Sequence, residues 1–478
     1  MLSDNLLCER FVGYINSRIE LGNLEIDRLS NEPDMQKLAL MYRDNAQKNL
    51  QFFQEECKGN ILNAFNALSN EGFLELITTA ATHAYLPIYK NSPLAVNAQI
   101  ETGLIQHIRL FDRSPEGFWL PECGYYPTLE ELLKRNNVKW TSLAAHSLLL
   151  SEDKPQRGNY APVKCPNGLW CFARDNNLTS LVWSATDGYP ADPCYREFYR
   201  DIGYDLDINY VRPFIHEPDV RVFTGFKYWA VTGKTAQKVP YSPEVAAEKT
   251  KEHAEDFLKN VRNRTLSLEA SLDCDPVYTL SFDAELFGHW WFEGVMWLEH
   301  VITSTAKQKD IELITPSVYI AEGNPVQTMT PAFSSWGEGG CSQVWVDTAS
   351  NSTFVKHTIK SIERMSEIAV KFPNQKSLKQ RFLNQAARET LLLMSSDWPF
   401  IMHNHTSEEY AKKRLTGHIQ NLNLVYDNMT KNAVNTEWLV KAEKRNNIFP
   451  QIDYNMFNPE HLKKDSPVFT TDFTSEQK

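Results

Sequence analysis

The chain has 478 residues, 42% hydrophobic and 23% charged, the balance of a globular protein too long for one ordinary core. Its net charge of −11 argues against a nucleic-acid partner, because holding a phosphate backbone takes clustered Lys and Arg. No apolar run of about 18 residues occurs, so no membrane span is expected, and Asp4 and Glu9 interrupt the start where a signal peptide would need an apolar stretch.

Residues 1–68 read as a helical segment. Leu7, Phe11, Tyr14, Ile15 and Ile19 recur at helical spacing, and Phe52, Phe53, Ile61, Leu62, Phe65 and Leu68 resume the pattern. Residues 69–354 change texture. Short apolar runs at 74–78, 117–122, 139–142, 180–183, 221–224 and 277–283 predict strands, and 127–135 and 242–262 predict helices between them. Such alternation argues for an α/β sheet or barrel, whose functional residues stand past the C-terminal ends of strands. Glu122 and Asp283 both end a strand-like run. Residues 355–478 turn helical again, with Ile359, Ile362, Met365, Ile368 and Phe372 forming one stripe. Thr406-Ser-Glu-Glu409 fits a capping box opening a further helix, and 444–478 reads as a loose polar tail.

The eight cysteines form no C-x2-C pair, so no zinc site is expected, and scattered thiols in a long chain read as reduced and cytoplasmic. His403 and His405 stand two residues apart and do not share a helix face, which leaves the metal and cofactor expectation at none. No serine or cysteine nucleophile pattern and no dinucleotide fingerprint is present.

Two acidic clusters carry the chemistry. The first reads Trp119-Leu-Pro-Glu122-Cys-Gly-Tyr125 and the second Ser281-Phe-Asp283-Ala-Glu285-Leu-Phe-Gly-His289-Trp290-Trp291-Phe-Glu293-Gly. Two carboxylates bracketed by rings are what cleaving a glycosidic bond requires. One attacks the anomeric carbon, the other protonates the leaving oxygen, and rings stack on sugar faces. Pro121 restricts Leu120 to an extended conformation, which fits a strand ending at Glu122. Asp283 reads as the general acid, an apolar setting favouring its protonated form; as an alternative it caps a core helix. The glycine-rich loop 334–340, followed by Trp345, admits a ligand closely or forms a tight turn around a packed Trp336. His83 alone reads as a structural hydrogen-bonder. The loop 187–197 reads equally as a cleft lining and as a structural Ω-loop. Asp397, at a helix end, is a candidate for a sugar hydroxyl.

These residues resemble glycoside hydrolase family 57, and within it the 1,4-α-glucan branching enzymes. The matching segments are 72–83, 119–125, 283–294 and 335–340, with 187–197 and 395–400 more particular to the branching subgroup. The resemblance implies a distorted (β/α)7 barrel with a helical insert domain (1–68) and an all-α C-terminal domain (355–478). It implies Glu122 as retaining nucleophile and Asp283 as acid/base, with carboxyls about 5–5.5 Å apart. It implies a mobile loop at 151–159 with Tyr160 at its tip, and Trp336 and Trp345 as sugar-stacking platforms. His83, Trp119, His289, Trp290 and Asp397 complete the expected substrate contacts. The implied donor and acceptor are α-1,4-glucans such as amylose or glycogen, in the cytoplasm. An α-amylase, a 4-α-glucanotransferase and an inactive glucan-binding remnant are the alternatives. One departure stands out: the strand with a His-x-His-x-Pro motif that opens family members is absent. This leads us to expect an upstream start or a truncated copy. A chain that really began at Met1 is expected to show weak activity and poor solubility through exposed sheet edges.

Overall fold

The computed structural model describes residues 2–216, 220–347 and 349–464. The chain divides into two compact units, one of Met1–Leu74, Asp175–Pro276 and Leu280–Thr315, the other of Glu75–Arg174, Val277–Thr279 and Pro316–Lys478. Residues 175–276 and 280–315, read from sequence with the barrel, thus belong to the compact unit of the N-terminal helices.

In the first unit, helices Asn5–Arg28 and Pro33–Gln51 pair, then a π turn at Phe52–Glu56 leads to helix Leu62–Asn70. Asp4 caps the first helix by accepting from the Leu7 amide at 3.0 Å. The pair packs closely because Gly22 faces Arg43, whose Cβ would lie 2.7 Å from any Cβ at position 22. The expected apolar stripe is only partly the buried one: Leu7, Phe11 and Tyr14 are exposed, while Ile15, Arg18, Leu21, Gly22 and Glu25 are buried. Hydrophobic periodicity misses this face because two of its members are charged. Arg18 donates to the Thr224 carbonyl at 2.9 Å and to that of Phe214. Burial opposes ionisation of Glu25, but Arg28 and the Tyr210 and Tyr228 hydroxyls outweigh it and hold the carboxyl below its usual range.

Two predicted strands in this unit are not strands. Residues 180–183 end a helix, Asn176–Trp183, capped by Asp175 on the Leu178 amide at 2.8 Å. At 221–224 the backbone turns to a carboxylate instead of a neighbouring strand. The amides of Thr224 and Gly225 both donate to buried Asp201 at 2.9 Å. Helix Pro243–Leu268, predicted as 242–262, packs against helix Gly294–Ala306.

The second unit is built on one sheet. Its strands are β1 (Thr78–Thr79), β2 (Gly117–Trp119), β3 (Trp140–Leu143), β4 (Val163–Lys164), β5 (Trp170–Ala173) and β6 (Gln327–Thr328), in spatial order β1-β2-β3-β5-β4-β6. The run β1, β2, β3, β5 is parallel, β4 is antiparallel to β5, and β6 is parallel to β4. Parallel strands read as nearly continuous apolar runs because both faces are covered. One face meets helix Pro93–Phe111, where Gly103 lets the helix touch the Thr79 carbonyl. The predicted strand at 277–283 reduces to one parallel bridge, Arg174 to Thr279.

Helices Ser352–Lys371, Ser377–Leu393, Glu408–Thr430 and Thr436–Arg445 follow, and Ile362, Met365 and Ile368 of the expected stripe share one core with Phe118, Leu120 and Leu143 of the sheet region. The mixed α/β architecture with a parallel sheet and helical C-terminal segment is therefore as expected. Two details differ. Helix Glu408–Thr430 starts from Ser407 without a side-chain cap bond, and Glu408 is held by His405 instead. The tail expected from 444 is ordered to Lys464: Ile452, Tyr454, Met456 and Phe457 are buried, and Tyr454 donates to the Phe372 carbonyl at 2.7 Å. Short turns give no period, so these residues read as irregular. The rest of that tail, 465–478, lies outside the described residues.

Candidate active site

Strand β2 delivers Glu122. Leu120 is extended, Pro121 opens a single 3-10 turn, and Glu122 itself takes a left-handed conformation with φ 62° and ψ 24°. Cys123 (φ 50°) and His83 (φ 51°) are left-handed as well. Non-glycine residues persist there only when their surroundings hold them. Tyr125 and Ser334 exchange two backbone hydrogen bonds, at 2.9 and 3.1 Å, and the Trp336 amide donates to the Glu122 carbonyl at 2.9 Å. The Glu122 turn and the 334–336 segment are thereby zipped together.

Trp336 and His83 approach the Glu122 carboxylate. Trp336 Nε1 donates to Oε2 at 2.7 Å, and His83 Nε2 lies 3.5 Å from Oε1. The Trp119 and Trp336 rings meet edge to face at 5.0 Å, and the Arg174 guanidinium sits 5.0 Å over the Trp336 ring. His83 and Trp119 are thus brought beside Glu122. A cleft of about 400 Å³ reaches Thr79, His83 and Trp119, but the rest of its wall is mostly Gly103, Gln106, His107, Leu110, Phe111 and Phe449, and Glu122 does not line it. Asp397 is exposed and bonded to Ser395, whose neighbour Ser396 donates to the His83 carbonyl at 3.2 Å. Tyr125 is core: burial and the 2.6 Å bond to Glu130 push its phenol far above the usual range.

Two expectations need correction, at Trp345 and Tyr160, and Trp336 has a further engagement. Trp345 is 1% exposed and stacked on Tyr85, so its ring presents no face to a ligand. Trp336, half-buried, carries Arg174 on its ring and gives its N–H to Glu122. Tyr160 is not a loop tip. Its carbonyl accepts from the Val277 amide at 2.7 Å and its ring meets Tyr278 at 6.0 Å. The preceding loop is tied down as well, with the Gln156 amide on Gln327 at 2.7 Å and Arg157 on the Pro325 carbonyl at 2.8 Å. Those partners are about 170 residues away in sequence, beyond any local pattern.

In the other unit, Asp283 is extended and half-buried before a 3-10 turn at Ala284–Leu286. It stands at the N-cap position of that turn, its carbonyl accepting from the Leu286 amide at 3.2 Å, but its side chain makes no cap bond there. The turn then separates the two tryptophans: Trp291 is 2% exposed, while Trp290 is 40% exposed and meets Trp183 edge to face at 5.8 Å. Gly288, at φ 96°, makes this reversal and donates to the Trp291 carbonyl at 2.8 Å. His289 is exposed, 5.7 Å from the Phe198 ring. The loop at 187–197 is largely structural. Tyr189 stacks on His253 at 4.5 Å, and Asp192 lies 3.6 Å from the same ring. Burial pulls the His253 pKa down, Asp192 opposing it.

Arg174 and Trp183 are not singled out as site residues by the sequence, yet they stand against Trp336 and Trp290. Arg174 directly follows β5, so the strand-end rule finds it once 170–173 is read as a strand. Trp183 was hidden by reading its helix as a strand. Among the described residues no group of three His, Cys, Asp or Glu is placed to hold a metal ion, and no helix is long and apolar enough to cross a membrane.

The sequence of residues 11–331 matches the family model for glycosyl hydrolase family 57. The chain belongs to glycosyl hydrolase family 57. It is an enzyme of the branching-enzyme type in that family, and residues 357–457 match the 1,4-alpha-glucan branching enzyme C-terminal domain. It is 27% identical to a 1,4-alpha-glucan branching enzyme of Thermococcus kodakarensis, over 97% of this chain and 70% of that protein. The crystal structure of the alpha-amylase AmyC from Thermotoga maritima superposes with a TM-score of 0.90 at 39% identity, covering 96% of this chain and 87% of that one. A family 57 branching enzyme from Pyrococcus horikoshii superposes at 0.85 and 28% identity, covering 98% and 86%.

Proposed function

We propose that the chain cleaves α-1,4-glucan by a retaining double displacement and transfers the released segment to a 6-hydroxyl, making α-1,6 branches. The observation that carries this reading is the joint match to the family 57 region and to the branching-enzyme C-terminal domain in one chain. Glu122 attacks the anomeric carbon; the bond from C1 to the leaving O4 breaks, and Asp283 gives O4 its proton. Asp283 then takes the proton of an acceptor 6-hydroxyl, whose oxygen bonds C1 and frees Glu122. His83, Trp119, His289, Trp290 and Asp397 contact the glucan, with amylose or glycogen as donor and acceptor. The eight free cysteines support a reducing, cytoplasmic setting.

The 39% identity to a protein described as an α-amylase favours a second reading, in which water replaces the acceptor. One experiment separates them. Amylose is incubated with the chain, with Glu122→Gln as control, and proton NMR follows the α-1,6 anomeric signal alongside reducing ends. A new α-1,6 signal that vanishes in the control supports transfer. Reducing ends without branches sink it in favour of hydrolysis.

A further inference from the structure

We infer that Trp336 is a positioning residue that clamps Glu122, reserves Oε1 for attack, and speeds release of the carboxylate in the second half of the reaction. The inference rests on the reading of Glu122 as nucleophile. Trp336 holds Glu122 at two points: its amide donates to the Glu122 carbonyl at 2.9 Å, and its indole N–H donates to Oε2 at 2.7 Å. The first bond supports a left-handed backbone at φ 62° that a non-glycine residue does not keep unaided. The second fixes the carboxylate plane. The indole is itself held, with Arg174 5.0 Å over its ring and Trp119 at 5.0 Å edge to face. Gly337 keeps the next step of the chain against Trp345, which a Cβ there would approach to 2.6 Å.

With Oε2 engaged, Oε1 is the oxygen that attacks, and His83 Nε2 lies 3.5 Å from it. As the C1–Oε1 bond forms and the C1–O4 bond breaks, O4 leaves with the electron pair and takes a proton from the acid. Oε2 becomes the carbonyl oxygen of a neutral ester. A hydrogen bond to a carboxylate is stronger than one to an ester carbonyl. The indole N–H therefore stabilises Glu122 before attack and again as it departs. Its differential effect favours departure, when the acceptor oxygen bonds C1 and the C1–Oε1 electrons return to the carboxylate. A sugar platform has no such asymmetry, since stacking acts on the bound glucan in both halves.

The test compares the wild type with Trp336→Phe, and with 3-benzothienylalanine at 336, which keeps both rings and lacks the N–H. The substrate is α-maltosyl fluoride with a maltooligosaccharide acceptor. Loss of the N–H is expected to lower kcat about tenfold, from the difference between a charged and a neutral hydrogen bond. KM should fall in parallel, with a burst of fluoride as the Glu122 ester accumulates. A raised KM with no burst in both variants overturns the clamp and restores the platform. Unchanged kinetics in the benzothienyl protein also overturn it. If the wild type neither releases fluoride nor forms an ester on Glu122, the proposed function itself fails, a result distinct from either of these.

Discussion

Trp345 lies flat on Tyr85, their ring centroids 4.4 Å apart and their planes 23° from parallel. The Tyr85 hydroxyl pairs with Ser342 at 2.8 Å, three residues before Trp345, so ring and loop are fixed together. Trp345→Ala should therefore destabilise the protein by about 3–5 kcal/mol, the cost of emptying a buried indole site. Urea unfolding measures the loss. Retention in an amylopectin gel, per folded molecule, should stay within about twofold of wild type. Weakened retention at unchanged stability would show that the ring reaches sugar after all.

Glu122→Gln and Asp283→Asn should separate on substrates of different leaving group. The first removes the attacking oxygen and should lower transfer from amylose by roughly four orders of magnitude. The second should cost roughly 10²–10⁴-fold on amylose, whose leaving oxygen needs a proton. With α-maltosyl fluoride, which leaves without one, Asp283→Asn should release the first fluoride at close to the wild-type rate. Equal losses on both substrates would remove Asp283 from the acid role.

Glu389 is fully buried among the C-terminal helices, taking hydrogen bonds from His418 at 2.6 Å, Gln385 at 2.6 Å and Asn446 at 2.8 Å. Burial opposes its charge, yet His418, Asn446 and Asn421 outweigh that and hold its carboxyl below the usual range. A depressed carboxylate contributes stability that is fully present above its unfolded value, about 4.3, and fades as pH falls through the folded value. Chemical melts from pH 7 down to pH 3 should show that loss. Glu389→Gln should show a shallower slope, since Glu25 and other carboxylates still titrate, and, by leaving its partners short, cost about 3–5 kcal/mol at pH 7. An unchanged pH slope in the variant would contradict this.

A Cβ at Gly103 would lie 2.2 Å from the Thr79 carbonyl oxygen. Backbone cannot yield as a long side chain can. Gly103→Ala should therefore cost more than about 2 kcal/mol, although alanine is the better helix former. A thermal melt within about a degree of wild type would contradict the close packing of this helix on β1.

Glu122 was legible because its determinants are local: apolar residues running into Pro121 mark a strand end, and rings flank the acid. The helices at 127–135, 242–262 and along the C-terminal stripe were legible for the same reason, since an apolar period records one buried face. What failed was decided at a distance. Arg18 and Glu25 look like surface charges until the Phe214 and Thr224 carbonyls and two tyrosine hydroxyls are supplied from about 200 residues away. The run at 221–224 has a strand's composition, yet Asp201 takes its amides. Trp345 looks like a platform until Tyr85 covers it.

The floor beneath Glu122 also carries a schedule. Thr82, beside His83, donates to the Leu391 carbonyl, a partner 309 positions downstream, and the His83 carbonyl waits for Ser396. At roughly 5–20 residues per second, a ribosome needs on the order of 15–60 s to supply those partners after Thr82 emerges. During that interval the left-handed turns at His83 and Glu122 lack part of what holds them. The turn that carries Glu122 is thus completed only after the helices around Leu391 and Ser396 have been made.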